Sequence, residues 1–162
     1  MSITQRPNFE KWFYFILILL AFVLYGNTIF NEYSLDDRLI VTENPYVQNG
    51  LAGIDDIFKS NYFQSKDVTL DKRPVTVSTF AIEYQFFGAN PHVSHFINVL
   101  LYALLLIVLF QTLKRVFKLD TLHYLLPFLA TILYAVHPIH TEVVASLKNR
   151  DELLVMLFGL LF

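Results

Sequence analysis

The sequence predicts an all-α membrane protein of the polytopic kind, with several transmembrane helices and a large first external loop bearing interfacial helices. Three observations carry that prediction. The 162-residue chain is 55% hydrophobic, with 16 Phe and 9 Tyr, and its mean hydropathy is positive, which is too apolar for an ordinary soluble domain. An uncharged run from Trp12 to Phe30 is about 19 residues long, enough to cross a bilayer core at about 1.5 Å per residue. Further apolar runs follow at residues 92–113, 119–136 and 153–162, divided by polar stretches. The net charge of −2 offers no basic surface for nucleic acid. Cysteine is absent, which excludes disulfides and thiolate metal sites and leaves the redox compartment open.

Residues 1–11 form a short polar leader with Arg6 and Lys11. The run 12–30 reads as a retained membrane helix. A cleaved signal peptide is the competitor, but its apolar core is shorter and a small-x-small cleavage site follows it. Trp12, Tyr14 and Tyr25 lie toward the ends, where interfacial anchors sit. Residues 31–91 form the one long polar loop. Within it Ile54-Asp55-Asp56-Ile57-Phe58 begins a short amphipathic helix. Pro74 to Phe87 reads as a helix lying in the interface plane, too short to cross. Gly88-Ala89-Asn90-Pro91 breaks it. The second span, 92–113, has its apolar heart from Val99 to Phe110, carries His92, His95 and Asn98 in its first turns, and meets Lys114, Arg115 and Lys118 as a basic stop. The third span, 119–136, contains Pro127 as an expected kink. A second polar loop covers 137–152. The fourth run, 153–162, is half a crossing, so the expectation is an N-terminal piece of something larger. Lysine and arginine near the span ends place the leader and the 114–118 turn in the cytoplasm, with loops 31–91 and 137–152 together on the far side.

Three groups of residues are candidates for chemistry. Asp36-Asp37 directly follows the first span, where a carboxylate can act as a general base or ligate a hard divalent ion; the plainer reading is a helix cap or solvated turn. Asp55-Asp56 is an identical dipeptide that reads as favourable charge at a helix N-terminus. Lys72-Arg73-Pro74 offers Arg73 for bidentate phosphate contact, or as an unspecific partner of anionic head groups. The second loop holds His137-Pro138-Ile139-His140-Thr141-Glu142, whose H-x-x-H spacing also suits a metal site although Pro138 disfavours a regular helix there. It ends in Arg150-Asp151-Glu152, a cation beside carboxylates that suits a phosphate or pyrophosphate.

Together these segments resemble a known family. The signature is Asp36-Asp37 early in the loop, Arg73-Pro74-Val75-Thr76, Asn90-Pro91-His92-Val93-Ser94-His95-Phe96-Ile97-Asn98, and His137-Pro138-Ile139-His140-Thr141-Glu142 with the trailing Asn149-Arg150-Asp151-Glu152. The chain, from about Tyr25 to Leu157, is similar to the N-terminal part of the transmembrane and tetratricopeptide-repeat-containing O-mannosyltransferases and their bacterial relatives, within the GT-C superfamily. The resemblance implies a membrane glycosyltransferase that moves a sugar from a polyprenyl- or dolichyl-phosphate donor to a hydroxyl, on a protein acceptor, at the extracytoplasmic face of the bacterial inner membrane or the endoplasmic reticulum. It implies Asp36 as base or metal ligand with Asp37 as its partner. Glu142, Arg150 and Asp151 would hold donor phosphate or metal. Arg73 joins them from the residue reading, and a divalent ion, Mg or Mn, would be held by Asp36 and Asp151. More apolar spans followed by helical repeats beyond Phe162 would support the resemblance. The alternative reading is a non-catalytic polytopic protein, a transporter or structural subunit. A third is a phosphotransferase or acyltransferase that uses the histidines. Transporters place ionisable groups at the bilayer midplane, whereas here the charges gather at one face.

Overall fold

The computed structural model describes residues 7–59, 63–65, 68–70, 73–117 and 124–162. Arg6, Lys72 and Lys118 lie outside them. Helix α1 (Pro7–Tyr25) runs on as a 3-10 helix, Gly26–Phe30. Glu10–Phe30 is long and apolar enough to span a membrane, as is helix α6 (Pro91–Val116). On α1, Phe13, Leu17, Ala21 and Tyr25 recur every fourth residue and are buried. Trp12, Phe15, Leu19 and Val23 on its other sides are exposed and equally apolar. A helix that is apolar all round and packed on one side only suits lipid, and among the described residues the protein is all-helical apart from one small hairpin, as a helical membrane protein is.

Helix α6 is the axis of the fold. Asn90 caps it by accepting from the His92 and Val93 amides (3.1 and 3.4 Å), and Pro91 occupies the first position, where its missing N–H costs nothing. Its 26 residues reach about 39 Å. Against it pack α1, helix α7 (Leu125–Ala135), helix α8 (His140–Ala145) and helix α9 (Arg150–Leu161). Lipid tails are as apolar as leucine, so helix contact in a bilayer depends on close packing and interhelical hydrogen bonds. Phe13 meets Phe110 edge-on at 5.8 Å, Tyr25 meets Tyr102 at 5.1 Å, and Tyr102 donates to the Ala135 carbonyl at 3.0 Å. At the far end Lys114 pairs with Glu10 and lies over the rings of Tyr14, Phe110 and Tyr124.

Two expected boundaries shift. Helix α7 is described from Leu125, with Pro127 in its first turn, where proline is accommodated; residues 119–123 of the expected third span lie outside the described residues. The fourth run begins a turn early, because Arg150, Asp151 and Glu152 are themselves helical.

The long loop is more ordered than its sequence suggests. Helix α2 (Leu35–Ile40) covers the Asp36-Asp37 pair. Helix α3 (Pro45–Gln48), a 3-10 helix Gly50–Gly53 and helix α4 (Ile54–Lys59) follow. Strands β1 (Phe63–Ser65) and β2 (Val68–Leu70) pair antiparallel, with Phe63 opposite Leu70 and Ser65 opposite Val68. Gly53 is required by space: a Cβ there would lie 1.9 Å from the Tyr46 carbonyl oxygen. Helix α5 (Pro74–Phe87) has the predicted bounds, opened by proline and ended by Gly88 at φ 64°. Its faces are inverted relative to a soluble helix. Thr76, Ser78, Phe80 and Glu83 face inward, while Val75, Ile82, Phe86 and Phe87 are exposed.

Candidate functional site

The polar site forms where the end of α1, the start of α6 and both polar loops meet. Its foundation is Arg150, which is 0% exposed. The guanidinium Nε donates to Asn98 Oδ1 at 2.6 Å, Nη1 to Thr79 Oγ1 at 2.9 Å and to Glu83 Oε1, and Nη2 to Ser94 O at 3.0 Å and to Glu83 Oε2 at 3.4 Å. Every N–H donor of the side chain is thereby taken. The cation also stacks over Phe80 at 3.9 Å. A buried ion pair is tolerated only when its remaining hydrogen-bonding groups are satisfied, and here they are. Ser94 Oγ donates to Glu83 Oε2 at 2.7 Å, and Asn98 Nδ2 donates to the Val144 carbonyl at 3.2 Å. This network locks α5, α6, α8 and α9 together. The expected phosphate ligand Arg150 therefore has no donor left to offer a phosphate; it holds the floor of the site.

The two aspartates of the opening pair part company. Asp37 is 1% exposed. Its Oδ2 accepts from the Ser34 amide (3.1 Å) and hydroxyl (2.7 Å), a capping box that starts α2, and its Oδ1 accepts from the Lys148 amide at 2.9 Å. Asp37 thus ties the first loop to the second. Asp36, one residue earlier on the helix, faces out and receives a hydrogen bond from Lys148 Nζ at 2.7 Å through one carboxylate oxygen. That hydrogen bond, and then the charge of Asp36, raise the Lys148 pKa above the ordinary lysine range, with nearby Arg73 opposing. Arg73 spans the same gap, donating to the Lys148 carbonyl (3.2 Å) and to Asp151 Oδ1 (3.0 Å). So Asp36, Asp37, Arg73 and Asp151 converge although up to 115 positions separate them in the chain. The two outer pairs are part-exposed and exchangeable, unlike the buried pair beneath.

Beside this rim lies a cleft of about 740 Å³, lined by Glu32, Ser34, Asp37, His95, Thr141 and Glu142 among others. Glu142 is exposed at its mouth. His95 is 1% exposed, and neither ring nitrogen has a hydrogen-bond partner; the Glu32 backbone is near enough to act on it electrostatically but makes no bond of proper geometry. Leaving buried polar atoms unpaired costs about 1–3 kcal/mol per group.

The histidines of the second loop are arranged otherwise. Helix α8 starts only at His140, as Pro138 implies, and the Ile139 amide donates to His137 Nδ1 at 3.3 Å. His140 stacks on Tyr134 with ring centres 4.2 Å apart. Burial, and then the neighbouring His137, push the His140 pKa down. Among the described residues no three His, Asp or Glu side chains gather as a metal-ligand set, and Asp36 and Asp151 are each paired with a cation. Asp36 and Asp151, each held by a cation, do not by themselves make a divalent-ion site.

Sequence reasoning passed over Lys148 and Glu83, and it noted His95 and Asn98 in the first turns of the second span without giving either a role. The capping-box spacing of Ser34 and Asp37 is the local signal that could have separated Asp37 from Asp36. Nothing local marks Lys148 or Glu83.

Fold and site define a class: an all-helical membrane protein with a carboxylate-and-cation site at one end of its spans. Over 142 residues, 85% of the chain, it is 35% identical to the human Protein O-mannosyl-transferase TMTC1 and spans 16% of that protein. It is 30% identical over 149 residues to a Caenorhabditis elegans Protein O-mannosyl-transferase, covering 90% of the chain and 21% of the relative. It is 32% identical over a 165-residue alignment to mouse Protein O-mannosyl-transferase TMTC4, covering 93% and 22%. The chain resembles proteins named as O-mannosyltransferases over most of its own length and spans about a fifth or less of theirs. No family model matches it, and no solved structure does.

Proposed function

We propose that this chain supplies the donor side of a membrane glycosyltransferase that moves mannose from a polyprenyl-phosphate-linked donor to a hydroxyl on protein, at the extracytoplasmic face. The names of its relatives support the transferase and the protein acceptor. The observation that carries the site is the Asp36–Lys148 pair at 2.7 Å, with Arg73 reaching the Lys148 carbonyl at 3.2 Å. Two cations with exposed surface stand next to a carboxylate at the end of a membrane span. A lipid phosphate arriving along the bilayer would take Lys148 and Arg73 in exchange for Asp36 and Asp151. That exchange frees Asp36 to act as base.

The acceptor oxygen forms a bond to the sugar's anomeric carbon while the bond from that carbon to the phosphate oxygen breaks. The hydroxyl proton passes to Asp36. The lipid phosphate departs with the bonding pair, its charge held by Arg73 and Lys148. Asp37 and Arg150 position these groups without touching substrate.

The test is Asp36→Asn in the full-length protein, with Asp55→Asn as the matched control. Asp36→Asn should lower turnover at least about 10²-fold, the lower end for a general acid–base group, with unchanged protein level in the membrane. Near-normal transfer by Asp36→Asn would leave its pair with Lys148 as a loop staple and nothing more.

A further inference from the structure

Rim and cleft differ in chemistry. The rim carries Arg73 and Lys148. The cleft wall combines the carboxylates of Glu32 and Glu142 and the hydroxyls of Ser34 and Thr141 with the apolar Pro138, Ile139 and Ala145, and it includes no lysine or arginine among the described residues. Such a lining disfavours an anion and accepts a neutral group that can donate hydrogen bonds. In its wall stands His95. Around it Asp37, Glu83, Asn98 and Arg150 are all paired, and His95 is not. A neutral imidazole presents one donor and one acceptor, and a hydroxyl presents the complementary pair, whereas an ionised phosphate presents acceptors alone.

We propose that the cleft binds an uncharged hydroxyl-bearing group and that His95 is the side chain that receives its hydroxyl. The inference rests on the transferase reading for the source of that hydroxyl, which is either the donor's sugar or the acceptor's Ser or Thr. Phosphate belongs to the rim, so the two halves of a sugar phosphate are sorted by charge. His95 stands on α6, which is anchored at this end by the Asn90 cap and by Asn98, so its ring is carried on a rigid element.

The experiment uses full-length protein in lipid nanodiscs with ¹⁵N-labelled imidazoles. It is titrated in separate arms with methyl α-mannoside, with a Ser/Thr peptide and with inorganic phosphate. The His95 resonances, assigned by their loss in His95→Phe, should shift with the mannoside or with the peptide, and the responding arm names the source. Phosphate should not move them. His95→Gln, which keeps a donor and an acceptor, should bind the responding ligand within about tenfold of the parent. It also serves if His95→Phe fails to fold. Resonances that stay still in both hydroxyl arms up to the solubility limit, the mark of a ring satisfied by trapped water only, overturn the proposal, as does an equal response to phosphate. Normal transfer without a His95 shift removes the cleft site and leaves the transferase reading. A His95 shift in a protein that transfers no mannose does the reverse.

Discussion

The chain contains the same dipeptide twice in the same local setting, and the two copies have different fates. Asp36-Asp37 and Asp55-Asp56 each follow one apolar residue in the first turn of a six-residue helix, with a basic residue in the last turn, Arg38 or Lys59. In α4 the local rules are the whole account. Asp55 pairs with Lys59 one turn on, and both remain largely in solvent, at 72% and 71% side-chain exposure. In α2 the pair is divided by what lies around it. Ser34 precedes the helix where Gly53 precedes the other, so only Asp37 can close a capping box. The second loop then covers Asp37 and brings Lys148 to Asp36. A carboxylate pair becomes a site when a distant segment meets it, and helical position alone does not achieve that.

Removing the second carboxylate of each pair should open the widest gap. Asp37→Ala loses a cap, worth about 1 kcal/mol, and strands the part-buried Lys148 amide, for a combined cost of roughly 2–4 kcal/mol. Asp56→Ala should cost no more than about 0.5 kcal/mol, as exposed positions do. Unfolding of the two variants in the same detergent compares them, and equal losses would mean the contact between the loops adds nothing to α2.

Cutting the cation side sharpens the contrast. Lys148→Met should change stability by less than about 1 kcal/mol, because the pair is part-exposed. It should lower mannosyl transfer about 10- to 100-fold, equivalent to one charged hydrogen bond of about 1.5–3 kcal/mol. Lys59→Met should leave both stability and transfer close to the parent, because its pair is fully solvated. Parallel transfer assays decide it, and matching losses would remove Lys148 from the site.

The smallest effect is in titration. Asp36 raises the Lys148 pKa and Asp55 raises that of Lys59, each first by a hydrogen bond and then by charge. A raised folded value means that pairing contributes fully below the ordinary lysine range and is lost as pH rises through the raised value. Asp36→Asn should bring Lys148 down and leave Lys59 alone, and Asp55→Asn should do the opposite, as read by pH-dependent amine labelling. An added alkyl phosphate should restore Lys148 in the first variant and leave Lys59 low in the second. Restoration of both would reduce the effect to unspecific ion binding.

The first two spans, the bounds of α5 and the polar nature of both loops were legible because their signals are local. Length against bilayer thickness identifies the run at 12–30, and Pro74 and Gly88 mark helix ends. Each depends on backbone geometry within a few residues. Arg150 shows where that reach ends. In the sequence it stands beside Asp151 and Glu152 and looks like a cation free for phosphate. In the fold its partner is Glu83, 67 positions away on a helix whose outward face is apolar and whose polar residues turn inward. Lys148 and His95 were likewise undistinguished until α6 brought loops from both ends of the chain to one face. The reason is physical: which side chain meets which charge depends on how separate helices pack, and desolvation makes the buried pair permanent while solvent leaves the rim pairs open to exchange.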